Sequence, residues 1–469
     1  MRGERISVSS DKPLRLSAYR PSRYNFFVPL KDDFTLAYNS LGNSLAVWDE
    51  YDRKVYDILC CGGDRETATE TVGNDRYLDS ILKDLKKGSF IIEKKTDERE
   101  KIDEAVKLLR FGREQLTLTI APTLKCNFGC DYCYQGNDRT GRMTDSVRDA
   151  LVGFVERASH DIKSLGVAWY GGEPLLEPDI VERLSERFIA LCGERNISYS
   201  AMMVTNGFLL TKETSDIFKR CRISSVQVTL DGDRPVHDTR RILLGGGPTF
   251  DRIIGNLADV TSSNEELHIS IRVNVDRRNC DSIEALIDRM CAEGLNKRKN
   301  LSMYFAPVDV CSSECLKIAD NVMPMQEYAA LEAELARLAT ERGMYFPSMP
   351  NRAFSLCAAV KPNGFVILPN GDIHKCWNTV SNSSQSLCRI DEIDCVWDSP
   401  LQREWLEHEL FSMPECDDCE ALANCAGGCA NKAMMGYANP CISLKYNMEK
   451  MLALYAVSKG AIKPEDVLV

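Results

Sequence analysis

The stretch KCNFGCDYCY, Lys125 to Tyr134, decides how the rest of the chain is read. It sets three thiols, Cys126, Cys130 and Cys133, at C-x3-C-x2-C spacing on one loop. Three thiolates hold three corners of a four-iron cluster and leave the fourth corner without a protein ligand, where an open metal can bind a substrate. An incomplete zinc knuckle or buried free cysteines are the alternatives. Structural zinc sites want four ligands with tighter C-x2-C pairs, and neither a His nor a fourth Cys lies near this loop.

The loop follows the first of six strand-like runs, at 116–121, 167–170, 199–204, 225–230, 269–275 and 302–305. Helical periods fall near 145–163, 178–194, 212–221, 250–262 and 281–293, with another after the last strand at 325–342. Strands alternating with helices pair in parallel, so residues 113–345 read as an α/β unit, open or partly closed into a barrel. Its chemistry belongs at the carboxyl ends of the strands. The second strand ends in Trp169-Tyr170-Gly171-Gly172-Glu173-Pro174, where the glycines let backbone approach a ligand closely and Glu173 adds an acceptor for an ammonium group; a plain Gly-Gly turn is the alternative. Thr205-Asn206-Gly207 and Thr229-Leu230-Asp231-Gly232 end the third and fourth. His237-Asp238 and Arg240 follow, and Arg272-Val273-Asn274 lies on the fifth.

Composition is that of an ordinary soluble globular protein and argues against a general nucleic-acid binder. Of 469 residues, 69 are acidic and 58 basic, a net charge of −11, whereas a nucleic-acid binder shows a basic footprint. No run of about 18 apolar residues exists to cross a membrane, and the first residues lack the apolar core of a secretory signal. A cytoplasmic setting keeps thiols reduced, so 20 cysteines against five histidines point to thiolate-bound metal rather than to disulfides.

Two further blocks flank the α/β unit. Residues 1–112 show short strands at 25–29, 35–38 and 44–47, then a helix from Asp49 to Cys60. A second helix covers 77–87, a strand 89–93, and a charged helix or linker 97–111. Trp48, Tyr51 and Tyr56 read as its core. Residues 346–469 lose the alternation. They hold a hairpin around Pro369-Asn370-Gly371-Asp372 and nine cysteines from Cys357 to Cys441, which suggests folding around metal.

On these residues the chain resembles the radical S-adenosylmethionine (SAM) enzymes: C-x3-C-x2-C, with the aromatic Tyr132 before the last Cys, after strand one of a six-unit run. The resemblance implies a partial (β/α)6 barrel and a [4Fe-4S] cluster on Cys126, Cys130 and Cys133. Its open iron chelates S-adenosyl-L-methionine, whose reductive cleavage gives a 5′-deoxyadenosyl radical. It also implies cofactor contacts from Tyr132, Gly171, Gly172, Glu173, Thr205, Asn206, Thr229 and Arg240. The spacing of Cys357, Cys376, Cys416, Cys419, Cys425, Cys429 and Cys441 looks like a SPASM domain. That likeness implies two auxiliary [4Fe-4S] clusters, making three in all: one on Cys416, Cys419, Cys425 and Cys441, the other on Cys357, Cys376 and Cys429. A zinc ribbon is the alternative. The corner left over is open to a substrate thiolate or filled by Cys311, Cys315, Cys388 or Cys395. The stretch 348–356, where some relatives carry another ligand, has no Cys. Cys60, Cys192, Cys221 and Cys291 read as ordinary buried thiols.

The strand-strand-strand-helix order of the first block, with Tyr38-Asn39 before a turn, resembles the winged-helix-like α+β, PqqD-like leader-recognition domains of peptide maturases. The whole then implies a maturase of a ribosomally made precursor peptide. It would form a thioether or C–C crosslink with net loss of two hydrogens, fed by a ferredoxin- or flavodoxin-type electron donor, with no nucleic acid or membrane partner. Two readings stand beside it: an enzyme acting on a protein or small molecule, and a non-catalytic iron–sulfur or zinc protein. Sulfatase maturases carry an Asp base directly after the second SPASM cysteine. Here that residue is Trp377, which counts against that branch.

Overall fold

The computed structural model describes residues 14–135, 141–351, 356–436 and 439–468. The first thirteen residues, read above for a signal, and 352–355 of the stretch searched for an extra ligand lie outside them.

The N-terminal block begins with β1 (Tyr19–Pro21) and a meander of β2 (Asn25–Pro29), β3 (Thr35–Asn39) and β4 (Ser44–Trp48). The meander is antiparallel in the order β2-β3-β4, with Phe26 opposite Tyr38 and Tyr38 opposite Leu45. Asn43 takes the left-handed conformation, φ 53°, in the last turn, which Asn tolerates through its local hydrogen bonding. Asp49, read as the first helical residue, is instead the N-cap of Glu50–Cys60: its carboxylate accepts from the Tyr51 and Asp52 amides in a capping box. Helices Arg65–Val72 and Asp75–Lys87 follow, and β5 (Ile91–Glu93) returns to pair with β1. Helix Arg65–Val72 was not anticipated because it buries only Ala68 and Val72, too few apolar positions to show a period. Glu98–Phe111 is helical, which settles the helix-or-linker alternative.

The core alternates as read: β6 (Gln115–Ile120), β7 (Ser164–Trp169), β8 (Ser198–Thr205), β9 (Ile223–Thr229), β10 (His268–Val275) and β11 (Leu301–Pro307), parallel and in sequential order. Helix starts are set by side-chain caps in several connections, with Thr144, Thr211 and Asp233 each accepting from an amide of the first turn. The sheet curls. Tyr132, from the loop after β6, reaches Asn274 on β10 at 3.3 Å, although three strands stand between β6 and β10. β6 and β11 do not pair, so the barrel is partial.

One set of alternating strand positions, such as Ile269, Ile271 and Val273, is fully buried with Ile283, Leu286 and Ile287 of the covering helix. The opposite set stays partly accessible: Met202, Gln227, Arg272 and Tyr304. A closed barrel of this type fills its interior with layers of branched side chains; here the inner face lines an open lumen.

The third block is more regular than its sequence suggested. β12 (Gly364–Ile367) pairs in parallel with β6, so the hairpin with β13 (Asp372–His374), and then β14 (Cys388–Arg389), extends the core sheet to nine strands. The last helix, Leu444–Ser458, packs Met448, Leu452, Ala453 and Ala456 against Phe26, Val28, Leu36 and Tyr38 of the meander. Asn424 Nδ2 donates to Tyr38 Oη at 2.9 Å, and Tyr38 Oη donates to the Pro350 carbonyl. Chain start and chain end thus share one core. Of the four thiols read as ordinary buried ones, Cys192 and Cys221 are buried and Cys291 is half-buried. Cys60 is exposed, because it closes its helix beyond the last core position, Leu59.

Leu452 is fully buried in that shared core. Leu452→Ala is expected to cost about 2–5 kcal/mol, read as a lower urea midpoint reported by both the meander and the C-terminal helix.

Candidate functional site

The cysteine loop is held from below by backbone. Gly172 N donates to Thr123 O at 3.1 Å and Glu173 N to Lys125 O at 2.8 Å. This contact is possible only without side chains: a Cβ on Gly172 would lie 2.1 Å from Lys125 O, and one on Gly171, at φ 124°, would lie 2.5 Å from Thr123 O. The glycine pair was expected to admit a ligand; what it admits is the loop that carries Cys126. Gln135 Nε2 donates to Gly171 O at 2.7 Å, closing the loop from its far side.

Glu173 is fully buried and its carboxylate is committed inside the protein. Oε1 accepts from Thr205 Oγ1 at 2.7 Å and Leu175 N at 3.1 Å, and Oε2 from Asn206 N at 2.8 Å. Burial raises its pKa, and these three hydrogen bonds oppose the rise. Glu173 was read as an acceptor for an ammonium group; in the structure its carboxylate joins β7 to β8. Asn206 Nδ2 then donates to Asn127 Oδ1 at 2.7 Å and lies 3.9 Å from Cys126 Sγ. Thr229 is buried at the end of β9, beside Arg272 in register.

Cys126, Cys130 and Cys133 are electrostatic neighbours. Burial pushes the Cys130 thiol up to about 12, and the guanidinium of Arg241 pulls it back down. A metal binding there displaces that proton, and Arg241 offsets the negative charge that results. Tyr132 Oη receives Arg241 Nη1 at 2.6 Å and donates to Asp231 Oδ2. Arg240 pairs with both Asp276 oxygens at 2.9 Å, and Arg278 bridges Asp276 and Asp131. His237 is held neutral by burial and by Arg241 and Arg240; its Nδ1 accepts from Asp231 N at 3.2 Å. Arg240 Nε and Nη2, Arg241 Nε and His237 Nε2 are buried without acceptors. The unmatched Arg241 Nε, on a guanidinium that neighbours the Cys130 thiol, fits an anionic cluster or the carboxylate of SAM at this loop. Arg241 was missed in the sequence, where it is merely the neighbour of Arg240.

The C-terminal cysteines fall into two groups. Cys416, Cys419, Cys425 and Cys441 line one small cavity together with Met413, Leu422 and Lys445, whose Nζ is 3.7 Å from Cys441 Sγ. Gly427 (φ 91°) and Gly428 (φ 73°) turn the chain away after Cys425. Side chains there would strike the Leu410 and Pro440 carbonyls, at 1.9 and 2.1 Å. Cys429 lands beside Cys357 and Cys376 instead. Lys375 is buried next to this group, its Nζ donating to Lys361 O at 2.6 Å and Gly364 O at 2.8 Å; burial lowers its pKa to about 7. Among the described residues no three Cys, His, Asp or Glu side chains are gathered around a single ion.

Cys311 and Cys315 lie together, Sγ to Sγ 3.8 Å, after β11, and Cys311 O accepts from Asn431 Nδ2 at 3.0 Å. Cys311 is also an electrostatic neighbour of Cys376. Cys388 and Cys395 neighbour each other at the far edge of the sheet. Three aromatic rings connect two of the cysteine loops, which sequence reasoning did not foresee. Tyr134 stacks on Tyr170 (6.5 Å between centroids, 8° between planes), and Tyr170 meets Trp377 at 5.5 Å. Tyr134 follows Cys133 and Trp377 follows Cys376.

Residues 120–293 match the profile of the Radical SAM superfamily. The chain carries that domain and is an enzyme. It is 20% identical over 452 residues to the radical SAM cyclopropyl synthase TigE of Paramaledivibacter caminithermalis, covering 89% of this chain and 91% of that protein. Among solved structures, anSMEcpe with bound AdoMet aligns with 74% of this chain and 97% of its own at 18% identity, TM-score 0.56. Streptococcus suis SuiB bound to precursor peptide SuiA aligns with 91% and 98% at 17% identity, TM-score 0.51. At these identities the likeness is one of fold. Among the described residues no helix is long and apolar enough to cross a membrane.

Gly172→Ala tests how the loop is held. It is expected to leave the far-ultraviolet circular dichroism of the protein unchanged and to remove about one four-iron cluster from the reconstituted protein, read as iron and acid-labile sulfide.

Proposed function

We propose that this chain is a radical SAM peptide maturase carrying three [4Fe-4S] clusters. One observation carries the reading. The Cys126/Cys130/Cys133 loop and the loop of Cys376 meet across Tyr134, Tyr170 and Trp377, so Tyr170 has thiols of both groups as electrostatic neighbours. A substrate reaching the lumen beside Tyr170 is therefore close to both.

Cys126, Cys130 and Cys133 hold the first cluster; Cys416, Cys419, Cys425 and Cys441 the second; Cys357, Cys376 and Cys429 the third. When bound with SAM, the first cluster supplies its reductive cleavage to a 5′-deoxyadenosyl radical that takes a hydrogen atom from the substrate. The chain's own contribution is placement. Glu173 keeps the ends of β7 and β8 in register under the loop. Arg241 offsets thiolate charge, and Tyr132 and Asp231 keep Arg241 in place. SAM contacts are assigned to Tyr132, Gly171, Gly172, Thr205, Asn206, Thr229 and Arg240, with Glu173 acting through Thr205 and Asn206. The peptide product would gain a thioether or C–C bond and lack two hydrogens, one leaving on 5′-deoxyadenosine and the other as a proton to solvent with its electron passing to an auxiliary cluster. A ferredoxin- or flavodoxin-type protein delivers the electron.

The substrate class rests on the N-terminal block and on the solved structures of similar fold. SuiB is bound there to a precursor peptide. In this chain β4 pairs with β3 on one side and, among the described residues, with no strand on the other. Val47 of β4 is 41% exposed. A free edge of this kind accepts an extended peptide as an added strand, so the leader docks along β4.

The reconstituted protein is expected to hold about twelve irons with matching sulfide and, once reduced, to convert SAM to 5′-deoxyadenosine. Cys130→Ala should lose one cluster and that activity together; SAM cleavage surviving in the variant overturns the assignment. With a leader-bearing peptide added, amide exchange should slow along β4 and stay unchanged along β1.

A further inference from the structure

The lumen holds one cation that the reading above does not use. Arg272 lies on β10, opposite Thr229 of β9 and Tyr304 of β11. Its neighbours Ile271 and Val273 are fully buried beneath the helices, whereas Arg272 is half-buried on the lumen face. Its Nε donates to Asn274 Oδ1 at 2.7 Å and its Nη1 to Tyr304 Oη at 3.3 Å. Tyr304 Oη in turn donates to Gln227 Oε1 at 2.6 Å. Every one of these partners is neutral.

Among the described residues no carboxylate lies within ion-pair distance of Arg272. The other arginines at these strand ends are supplied. Arg240 has Asp276 at 2.9 Å, and Arg278 has Asp276 and Asp131. Arg241, without a carboxylate at that distance, faces the thiols of the cysteine loop. Glu332, on the helix Met325–Glu341 beside β11, is taken by Tyr328 Oη at 3.3 Å and Asn447 Nδ2 at 2.9 Å. A guanidinium withdrawn partly from water is costly unless an anion meets it. Here neutral acceptors fix its plane while Nη2 donates to no described group, which is the arrangement of a receptor awaiting a forked partner.

We propose that Arg272 is a specificity-determining residue that receives a carboxylate of the substrate, so that the peptide modified here carries an Asp or Glu side chain, or its own C-terminus, beside the reacting carbon. The proposal rests on the maturase reading and narrows its substrate class. Lysine is a poor replacement, because the site holds a planar fork rather than a point charge.

Glutarate and its diamide, glutaramide, separate the charge from the shape. Each is titrated calorimetrically into SAM-saturated, cluster-loaded enzyme without reductant. Glutarate should bind and glutaramide should not. Arg272→Gln should weaken glutarate by roughly ten- to a hundredfold, as expected for one charge-assisted pair, and leave SAM affinity and iron content unchanged. Arg272→Lys, which keeps the charge, should fall between them and covers the case in which the Gln variant fails to fold. Equal binding of the two probes, or glutarate binding indifferent to Arg272, overturns the proposal. So does displacement of SAM by glutarate, or a matching loss of SAM affinity in Arg272→Gln, since the carboxylate served would then be that of SAM. These are binding readouts, so they stand apart from 5′-deoxyadenosine formation, whose absence would instead defeat the maturase reading.

Discussion

The site depends on two peptide groups lying flush against another strand's loop. Gly171 and Gly172 sit so close to Thr123–Lys125 that a single methyl group at either position would enter the van der Waals shell of a carbonyl oxygen. That contact turns the end of β7 into a floor for the cysteine loop. The floor is then fastened sideways, because Glu173 uses its whole carboxylate on Thr205, Asn206 and Leu175. The ends of β7 and β8 and the segment leading to Cys126 are thereby fastened to one another.

Charge is handled by the same economy. A buried carboxylate or guanidinium persists only with a partner, and near the cysteine loop the partners are arranged in a chain. Asp131, Arg278, Asp276, Arg240, Asp231, Tyr132 and Arg241 alternate sign or polarity from the surface to the Cys130 thiol. The chain ends on Arg241, which has no carboxylate within ion-pair distance among the described residues. Its electrostatic neighbours are the Cys130 thiol, Tyr132 and Asp231. His237, beside the same network, stays neutral because it is buried and because two arginines already occupy its surroundings. Arg272 on the lumen face has, among the described residues, neutral hydrogen-bond partners, Asn274 and Tyr304, and reaches this chain only through Asn274.

The parts of the fold legible in the sequence are those governed by local periodicity. Runs such as HISIRVNV alternate strictly, with Ile269, Ile271 and Val273 on the buried side, and β10 falls at 268–275 against an expected 269–275. Helical periods were legible in the same way, with Pro178–Glu194 falling on the expected 178–194. Pairing between distant segments leaves no such mark. Nothing in GFVI announces that β12 continues the core sheet beside β6, since a short apolar strand fits either edge equally well. The site shows the same division. Cysteine spacing is a local pattern and named the thiols. The contacts of Gly171, Gly172 and Glu173 with the protein depend on which backbone lies opposite, and no spacing rule reports that the cysteine loop and the end of β8 lie there. Arg241 and the Tyr134–Tyr170–Trp377 stack arise from elements far apart in the chain, where no spacing rule reaches.

The shared core of the first and last segments bears on how a peptide is handled. The meander is covered on one face by its own helices and on the other by Leu444–Ser458. Two contacts tie this shared core to the rest of the molecule: the terminal helix packs on Met325–Glu341, seen in the Asn447–Glu332 hydrogen bond, and the meander is joined to the cysteine-rich segment by the Tyr38–Asn424 bond. A peptide strand added to β4 is therefore anchored to a surface fixed relative to the lumen, not to a module on a free tether. Under that geometry the docked segment sets how many residues of slack remain before the chain reaches Tyr170. On the proposed reading, selection of the residue to be modified would be a matter of contour length together with the local chemistry of the lumen wall.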